Sequence, residues 1–185
     1  MNAKVQPGLS FRAVAGAQAM LPAEEGDGGS DTRKSGHFEL DLQWGKKLGD
    51  SAIAAQLKVP VAFVLSSLDV FYQVPSNHPF YFGVGGELGA MPGFYAAATY
   101  YLNDSTFVTL TPRALRELDT EADEGSWQLS SQLAIGSNSG GGQLAGFVQY
   151  AHQTGQGFNV DINLFGDDDR DYRKDFILIG VALRR

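Results

Sequence analysis

The stretch that decides the fold lies at 38–44 and reads Phe38-Glu39-Leu40-Asp41-Leu42-Gln43-Trp44. Apolar and polar residues alternate along it without a break. Successive side chains of a β-strand point to opposite sides, so this stretch forms one apolar face and one polar face. A helix would instead repeat its apolar positions every three or four residues. The stretch therefore predicts a β-strand that separates two different environments.

The same period of two recurs along nearly the whole chain. Ten segments show it, at residues 5–17, 37–44, 53–63, 80–88, 94–102, 108–113, 127–135, 143–150, 158–164 and 177–183. Many short alternating segments separated by turn residues are typical of a membrane-spanning β-barrel. We predict an all-β fold, a single antiparallel up-and-down transmembrane β-barrel of about ten strands, with eight to twelve as the range.

The composition of the polar face indicates which side of the barrel meets water. A soluble lipocalin-like barrel has the same period, with an apolar interior and a wet exterior. Its wet face would be rich in Lys and Glu. Here the polar face holds mainly Gly, Gln, Asn, Ser, Thr and Tyr. We therefore expect the apolar face to meet lipid, and a soluble barrel that binds an apolar ligand remains the alternative.

Length and charge narrow the class of protein further. The pattern runs evenly over all 185 residues without a linker, so we predict one domain at 1–185. No apolar run approaches the roughly 20 residues that a membrane-spanning helix needs. A net charge of −7 and the lack of a basic, aromatic-rich cluster argue against nucleic acid as a partner. The absence of cysteine suits an envelope protein without disulfides and also many cytosolic proteins.

The start of the chain carries no export signal. Met1, Asn2, Ala3 and Lys4 lead directly into the first alternating segment, without an apolar core of the kind that signal peptides have. We interpret the chain as a mature domain with an added starting methionine. A protein that stays in the cytoplasm is the alternative.

The connections divide into long polar loops and tight turns. Long loops are predicted at 21–36, 66–78, 116–125 and 166–174, and tight turns at Lys47–Asp50, Pro92–Gly93, Asn103–Asp104 and Gly136–Gly142. Long loops of such barrels lie at one end and short turns at the other. With the ten segments above, the turn at Asn103 and the loop at 116–125 lie at the wrong ends. An extra strand within Leu68–Val74 would move them but make the strand number odd.

The chain resembles the small bacterial outer-membrane β-barrel proteins as a class. The resemblance rests on the strand pattern and on turn phrases such as Tyr101-Leu102-Asn103-Asp104-Ser105 before the segment at 106–110. It implies a location in the bacterial outer membrane, contact with membrane lipid and lipopolysaccharide, and insertion by the barrel-assembly machinery. Many members end on an aromatic residue, whereas this chain ends Leu183-Arg184-Arg185.

Two sets of residues are predicted to have roles in such a barrel. The charged residues on the polar face should line the lumen and pair between strands: Arg12, Glu39, Asp41, Lys58, Glu87, Arg113 and Asp161. Arg12 is expected to pair with Glu39 or Asp41, and Lys58 with Glu87. The outward aromatic residues near segment ends should lie at the lipid headgroups: Phe38, Trp44, Phe94, Tyr100, Trp127 and Tyr150.

Signals of catalysis and metal binding are weak. The histidines His37, His78 and His152 lack the spacing of a metal site. Ser66, Ser67 and Asp69 share one predicted loop with His78, and the lipid-modifying members of the class carry such residues at the outer rim. We predict no enzymatic activity, with a lipid-modifying enzyme as the alternative.

Two further motifs are incomplete. Asp167, Asp169 and Asp171 alternate as in a calcium loop, but Tyr172 stands where the turn glycine belongs. The glycines at 83–89 lack the spacing of a nucleotide-binding loop, and we expect them to leave room for bulky lumen neighbours. No metal and no cofactor are predicted.

The fold leaves several functions open. A barrel of about ten strands has a lumen barely wider than its side chains. We therefore expect a narrow passive channel for small solutes or an occluded structural barrel. A surface interaction protein that works through its acidic loops is a further alternative.

Overall fold

A computed structural model of the chain describes residues 3–21, 33–60, 66–89, 91–116, 127–139, 141–154 and 175–185. It contains ten strands: β1 (Gly8–Leu21), β2 (Arg33–Leu48), β3 (Ser51–Pro60), β4 (Ser67–Gln73), β5 (Phe80–Leu88), β6 (Gly93–Tyr101), β7 (Thr106–Arg116), β8 (Trp127–Ser139), β9 (Gly142–Thr154) and β10 (Asp175–Arg184). In these ranges, no helix is long and apolar enough to cross a membrane.

The ten strands form one closed barrel. Each strand pairs antiparallel with its neighbours in sequence, and β10 pairs with β1 to close the sheet. Ala15, for example, lies opposite Val181 on one side and opposite Phe38 on the other. Closure leaves no edge strand with unpaired backbone groups. The predicted fold class, an all-β antiparallel up-and-down barrel of about ten strands, is confirmed.

One strand lies within a segment that was predicted as a long loop. β4 occupies residues 67–73 of the predicted loop at 66–78, so that loop prediction is wrong. Its side chains alternate strictly, with Ser67, Asp69, Phe71 and Gln73 buried and the three between them exposed. The strand is short and carries a charge, which made its pattern resemble a polar loop. Its pairing with β3 and β5 supplies the backbone hydrogen bonds that stabilise it.

Counting β4 places the connections at consistent ends. The connections at 49–50, 74–79, 102–105 and 140–141 lie at one end, called here the short-turn end. Those at 22–32, 61–66, 89–92, 117–126 and 155–174 join the strands at the other, the long-loop end. The expectation that the Asn103 turn and the loop at 116–125 lie at the wrong ends of the barrel is therefore wrong. The predicted segment at 158–164 and loop at 166–174 lie outside the described residues, and β9 pairs directly with β10.

Local chemistry explains the tight turns. The Asn103 side-chain oxygen accepts hydrogen bonds from the backbone N–H groups of Ser105, at 3.0 Å, and Thr106, at 2.7 Å. Gly49 and Gly141 have positive φ angles of 65° and 80°, which favour glycine. These residues set the register of three hairpins.

The distribution of polar and apolar side chains between the two faces of the barrel is the reverse of that in a soluble protein. Large apolar side chains are exposed on every strand; Leu40, Leu133 and Ile179 are 52%, 44% and 61% exposed. Polar side chains such as Gln56, Asp69 and Thr109 are fully buried inside. The alternation of the sequence therefore produces an apolar exterior and a polar interior.

The first residues enter the lumen instead of extending β1. The first alternating segment was predicted to begin at Val5, with Val5 and Pro7 on the outward face. That boundary is wrong, because β1 begins at Gly8 and Val5 is buried. Gly8 has a φ of 97°, a conformation that lets the chain turn sharply before the strand. Ala3 and Val5 are then buried inside the barrel at the short-turn end, Lys4 is half-buried and Gln6 is exposed.

Candidate functional site in the barrel lumen

Four charged side chains meet in the lumen near the long-loop end and are called here the Lys58 cluster: Lys58, Asp69, Glu87 and Arg113. The Lys58 ammonium lies 2.8 Å from an Asp69 oxygen and 3.0 Å from a Glu87 oxygen. Arg113 approaches the same Glu87 oxygen at 3.3 Å, and Ser67 donates to the other at 2.8 Å. Two cations and two carboxylates from four strands thus neutralise one another inside the barrel.

A second group of charges crosses β1, β2 and β3. The Arg12 guanidinium lies 3.1 Å from an Asp41 oxygen, and the Gln56 amide donates to the same oxygen at 2.8 Å. Arg184, on β10 beside Arg12, donates through Nε to the Ser10 hydroxyl at 3.1 Å. This second group therefore contains two guanidinium groups, the Asp41 carboxylate bonded to Arg12, and the half-buried Glu39 carboxyl group in contact with Asp41.

The structure brings most of the predicted lumen residues together. Arg12, Asp41, Lys58, Glu87 and Arg113 all face inward, in two groups. Glu39 lies on the same face of β2 and is half-buried. Asp161 lies outside the described residues. Arg12 pairs with Asp41, and Lys58 with Glu87; their role in lining a conducting path stays a prediction.

Two lumen residues were missed from the sequence. Asp69 was assigned to a loop, although the alternation from Leu68 to Tyr72 would have placed it on a polar face. Arg184 was left out because the last predicted segment stopped at Leu183. Extending its alternation by one residue would have placed Arg184 on the same face as Ala182.

Aromatic rings fill the lumen between the charged groups. The Phe71 and Tyr95 rings stack with their centroids 5.9 Å apart, and the Arg113 guanidinium lies 5.1 Å from the Tyr95 centroid. Gly83 and Gly85 on β5 face these two rings. As predicted for this stretch, the missing side chains leave room for bulky neighbours.

Replacing Gly85 with alanine should therefore destabilise the barrel by about 1–3 kcal/mol through overpacking. A Cβ atom at this position would lie 2.5 Å from the Tyr95 ring and 2.8 Å from the Val70 carbonyl oxygen. Gly86→Ala is the matched control, since its Cβ would point outward and meet nothing closer than 3.7 Å. The stability of both variants is measured by denaturant unfolding in detergent. Equal stabilities of the two variants would contradict this account of Gly85.

The N-terminal segment, residues 3–6, lies across the lumen at the short-turn end. The Ala3 N–H donates to the Thr99 hydroxyl and the Val5 N–H to the Gln73 side-chain oxygen, both at 2.8 Å. The Lys4 ammonium lies 5.3 Å from the Tyr81 ring centroid and 5.2 Å from that of Tyr101. The barrel thus accepts hydrogen bonds from two backbone N–H groups of this segment, which a buried backbone needs.

A small cavity remains in the lumen beside Arg12 and Arg184. Its volume is about 40 Å³. That space holds roughly three water molecules. The ion clusters, the aromatic rings and the N-terminal segment occupy the described lumen on either side of this cavity.

The residues of the weak catalytic candidate do not meet. Ser67 donates to Glu87 and Asp69 contacts Lys58, both near the long-loop end. His78 lies in the connection at 74–79, at the short-turn end, where its Nε2 is 3.9 Å from Asp104. The predicted shared loop of Ser66, Ser67, Asp69 and His78 is thus wrong, because β4 separates its ends. In the ranges that the structure describes, no three His, Cys, Asp or Glu side chains form a metal-binding group.

The six predicted rim aromatics all lie on the exterior, with exposed fractions of 37–61%: Phe38, Trp44, Phe94, Tyr100, Trp127 and Tyr150. Phe94 and Trp127 contact each other near the long-loop end, with ring centroids 6.2 Å apart. Tyr150 donates to Asp175 at 2.6 Å near the same end. Trp44 and Tyr100 lie toward the short-turn end. Contact of these rings with lipid headgroups stays a prediction.

The fold and the lumen define a class of protein: a closed antiparallel up-and-down β-barrel with an apolar exterior and a charged, filled interior. Among solved structures, the chain is similar to the crystal structure of Neisserial surface protein A (NspA), at 11% identity over 98% of both chains and a TM-score of 0.38. It is also similar to the crystal structure of Ail, the attachment invasion locus protein of Yersinia pestis, at 10% identity over 97% of this chain and 100% of that chain, with a TM-score of 0.37. No family model and no curated protein sequence matches the chain.

Proposed function

We propose that this protein is a bacterial outer-membrane β-barrel whose lumen is occluded by its own side chains and N-terminal segment. It acts as a structural barrel that carries its longer connections on one side of the membrane. The single observation that supports this most strongly is the inverted distribution of polarity, with charges buried and large apolar side chains exposed on all ten strands.

The apolar exterior supports membrane insertion on energetic grounds. Soluble monomers rarely expose an apolar patch of more than a few hundred Å². Here the exposed apolar side chains continue around the whole closed sheet. In lipid this surface is favourable, and the closed barrel has no edge strand that would expose a row of unpaired backbone groups to lipid. The outward aromatic rings would then lie at the lipid headgroups and contact lipid and lipopolysaccharide.

The interior argues against the soluble alternative. A lipocalin-like protein needs an apolar cavity large enough for its ligand. The lumen of the described barrel instead buries Asp41, Lys58, Asp69 and Glu87, and its cavity measures about 40 Å³. This volume is far below the roughly 300 Å³ at which ligand pockets begin.

Refolding tests the membrane proposal. The purified chain should fold only in detergent or lipid, and its folded form should migrate differently on a gel before and after boiling. Folding into a monodisperse protein without detergent would contradict the proposal.

Removing the N-terminal segment should open the short-turn end of the lumen and leave the Lys58 cluster in place. We expect no steady current from the full chain in planar bilayers, because residues 3–6 cross the lumen beside Thr99 and Gln73. A variant that joins Met1 to Pro7 should show small, measurable openings.

Two further variants make this experiment specific. Gln73→Ala removes the acceptor for the Val5 N–H and should give intermediate activity. Ser76→Ala changes a residue in the adjacent 74–79 connection that bonds only locally, to the Val74 carbonyl, and should behave as the full chain does. Steady conduction by the full chain would overturn the occluded state, and a silent shortened chain would show that the segment is not the closure.

A further inference from the structure

The cavity beside Arg12 and Arg184 has an unusual lining. It lies toward the short-turn end. Arg12, Arg184, Gln43, Gln56 and Gln143 supply polar groups to its lining, and two phenylalanines and three alanines supply an apolar part. No carboxylate lines it in the part of the chain that the structure describes. The surroundings of the cavity are thus rich in hydrogen-bond donors and positive in charge.

The two arginines face each other across a strand pair. Arg12 on β1 and Arg184 on β10 are register partners, and both side chains point inward. The Cβ atoms of directly opposed residues are about 5 Å apart, and like charges at such positions are destabilising. The pair therefore requires compensation from other groups.

Only one of the two charges is compensated by the protein. Arg12 has the Asp41 carboxylate at 3.1 Å. Arg184 is 6% exposed, and its Nε donates to the neutral Ser10 hydroxyl. Its Nη2 is fully buried and makes no hydrogen bond to any described residue. Glu39 contacts Asp41 on β2, so the nearby carboxylates lie beside Arg12, and no carboxylate of a described residue is bonded to Arg184.

A buried charge without a partner costs several kcal/mol, whereas a charge-assisted hydrogen bond to an anion removes much of this cost. We propose that the cavity binds a small monovalent inorganic anion, of which chloride is the abundant one, between Arg184 and Arg12. The guanidinium groups of Arg184 and Arg12, which both line the cavity, supply the charge. The amide groups of the lining glutamines supply further donors, whereas the Thr109 hydroxyl is hydrogen-bonded to that of Thr99 at 2.8 Å.

The size of the cavity restricts the ligand. A volume of about 40 Å³ accommodates one small ion with little accompanying water. A lipid headgroup or a nucleotide does not fit. The site is independent of conduction, because an anion held there stabilises the barrel whether or not ions pass through it.

Chloride-dependent stability tests the site. The full chain is unfolded by heat in detergent at constant ionic strength, with sodium gluconate replaced stepwise by sodium chloride. A ligand that binds only the folded state raises the midpoint in a saturable manner. We expect such a rise for the full chain, and identical midpoints at all chloride concentrations would overturn the proposal.

Arg184→Met identifies the residue responsible. This variant removes the uncompensated charge and keeps a long apolar side chain, so its midpoint should exceed that of the unchanged chain in gluconate and lose its dependence on chloride. Arg185→Gln is the matched control, because it removes the same charge from an exposed neighbour and should keep the dependence. A persistent chloride effect in Arg184→Met would overturn the assignment.

A direct measurement covers the case in which Arg184→Met does not fold. The chloride-35 resonance should be broader with the folded full chain than with the same sample after boiling, and bromide should reverse the excess width. Equal widths before and after boiling would overturn the proposal.

Discussion

Replacing Leu133 with arginine should lower the free energy of unfolding in lipid by about 2–4 kcal/mol. Leu133 lies at the middle of β8, where it is 44% exposed and opposite Leu110 and Val148 on the adjacent strands. If this row lies at the centre of the bilayer, a guanidinium there must enter hydrocarbon or distort the membrane. On the wet surface of a soluble barrel the same change would stay within about 0.5 kcal/mol.

The measurement is equilibrium unfolding by guanidinium in phospholipid vesicles, followed by tryptophan fluorescence. Both tryptophans, Trp44 and Trp127, lie on the exterior and report on contact with lipid. Leu102→Arg is the matched control, because Leu102 is 60% exposed in the short-turn connection at 102–105, beyond the strands. It should change stability by no more than about 0.5 kcal/mol. Equal losses in the two variants would be incompatible with a lipid-facing band at Leu133.

The second large effect concerns the Lys58 cluster. Lys58→Met should destabilise the barrel by about 3–5 kcal/mol, because it leaves buried carboxylates without their cation. The side chains of Lys58, Asp69 and Glu87 are 6%, 0% and 10% exposed. Glu87 keeps Arg113 in this variant, but Asp69 loses its ion-pair partner. The loss should therefore come mainly from Asp69.

A double variant tests this cause. Lys58→Met combined with Asp69→Asn removes the unpaired charge and retains the pair between Glu87 and Arg113, so more than half of the lost stability should return. The same unfolding experiment measures the stability of the single and the double variant. A single variant as stable as the unchanged chain, or a double variant no better than the single one, would refute a structural role for the cluster.

The balance of charges inside the barrel bears on function. In the Lys58 cluster, two cations and two carboxylates balance one another in charge, which suits a filled structural lumen. Beside the cavity, Arg184 is bonded to the neutral Ser10 hydroxyl and has an Nη2 without a hydrogen bond to any described residue. The two regions thus separate a stabilising role from a binding role within one lumen.

The period of two by itself predicted the barrel, the apolar exterior and the inward position of residues such as Arg12, Lys58 and Glu87. These features could be predicted from the sequence because the alternation of side chains is a local property of each strand. The tight turns at Gly49 and Asn103 were equally local, since their chemistry depends on a few adjacent residues.

Tertiary structure decided the features that depend on partners distant in sequence. β4 is a strand because β3 and β5 pair with it, and Asp69 is buried beside a lysine from another strand. The N-terminal segment lies in the lumen because acceptors on β4 and β6 satisfy its backbone. Arg12 and Arg184 meet only where the last strand closes on the first, since closure and register, and no local pattern, set which side chains face one another.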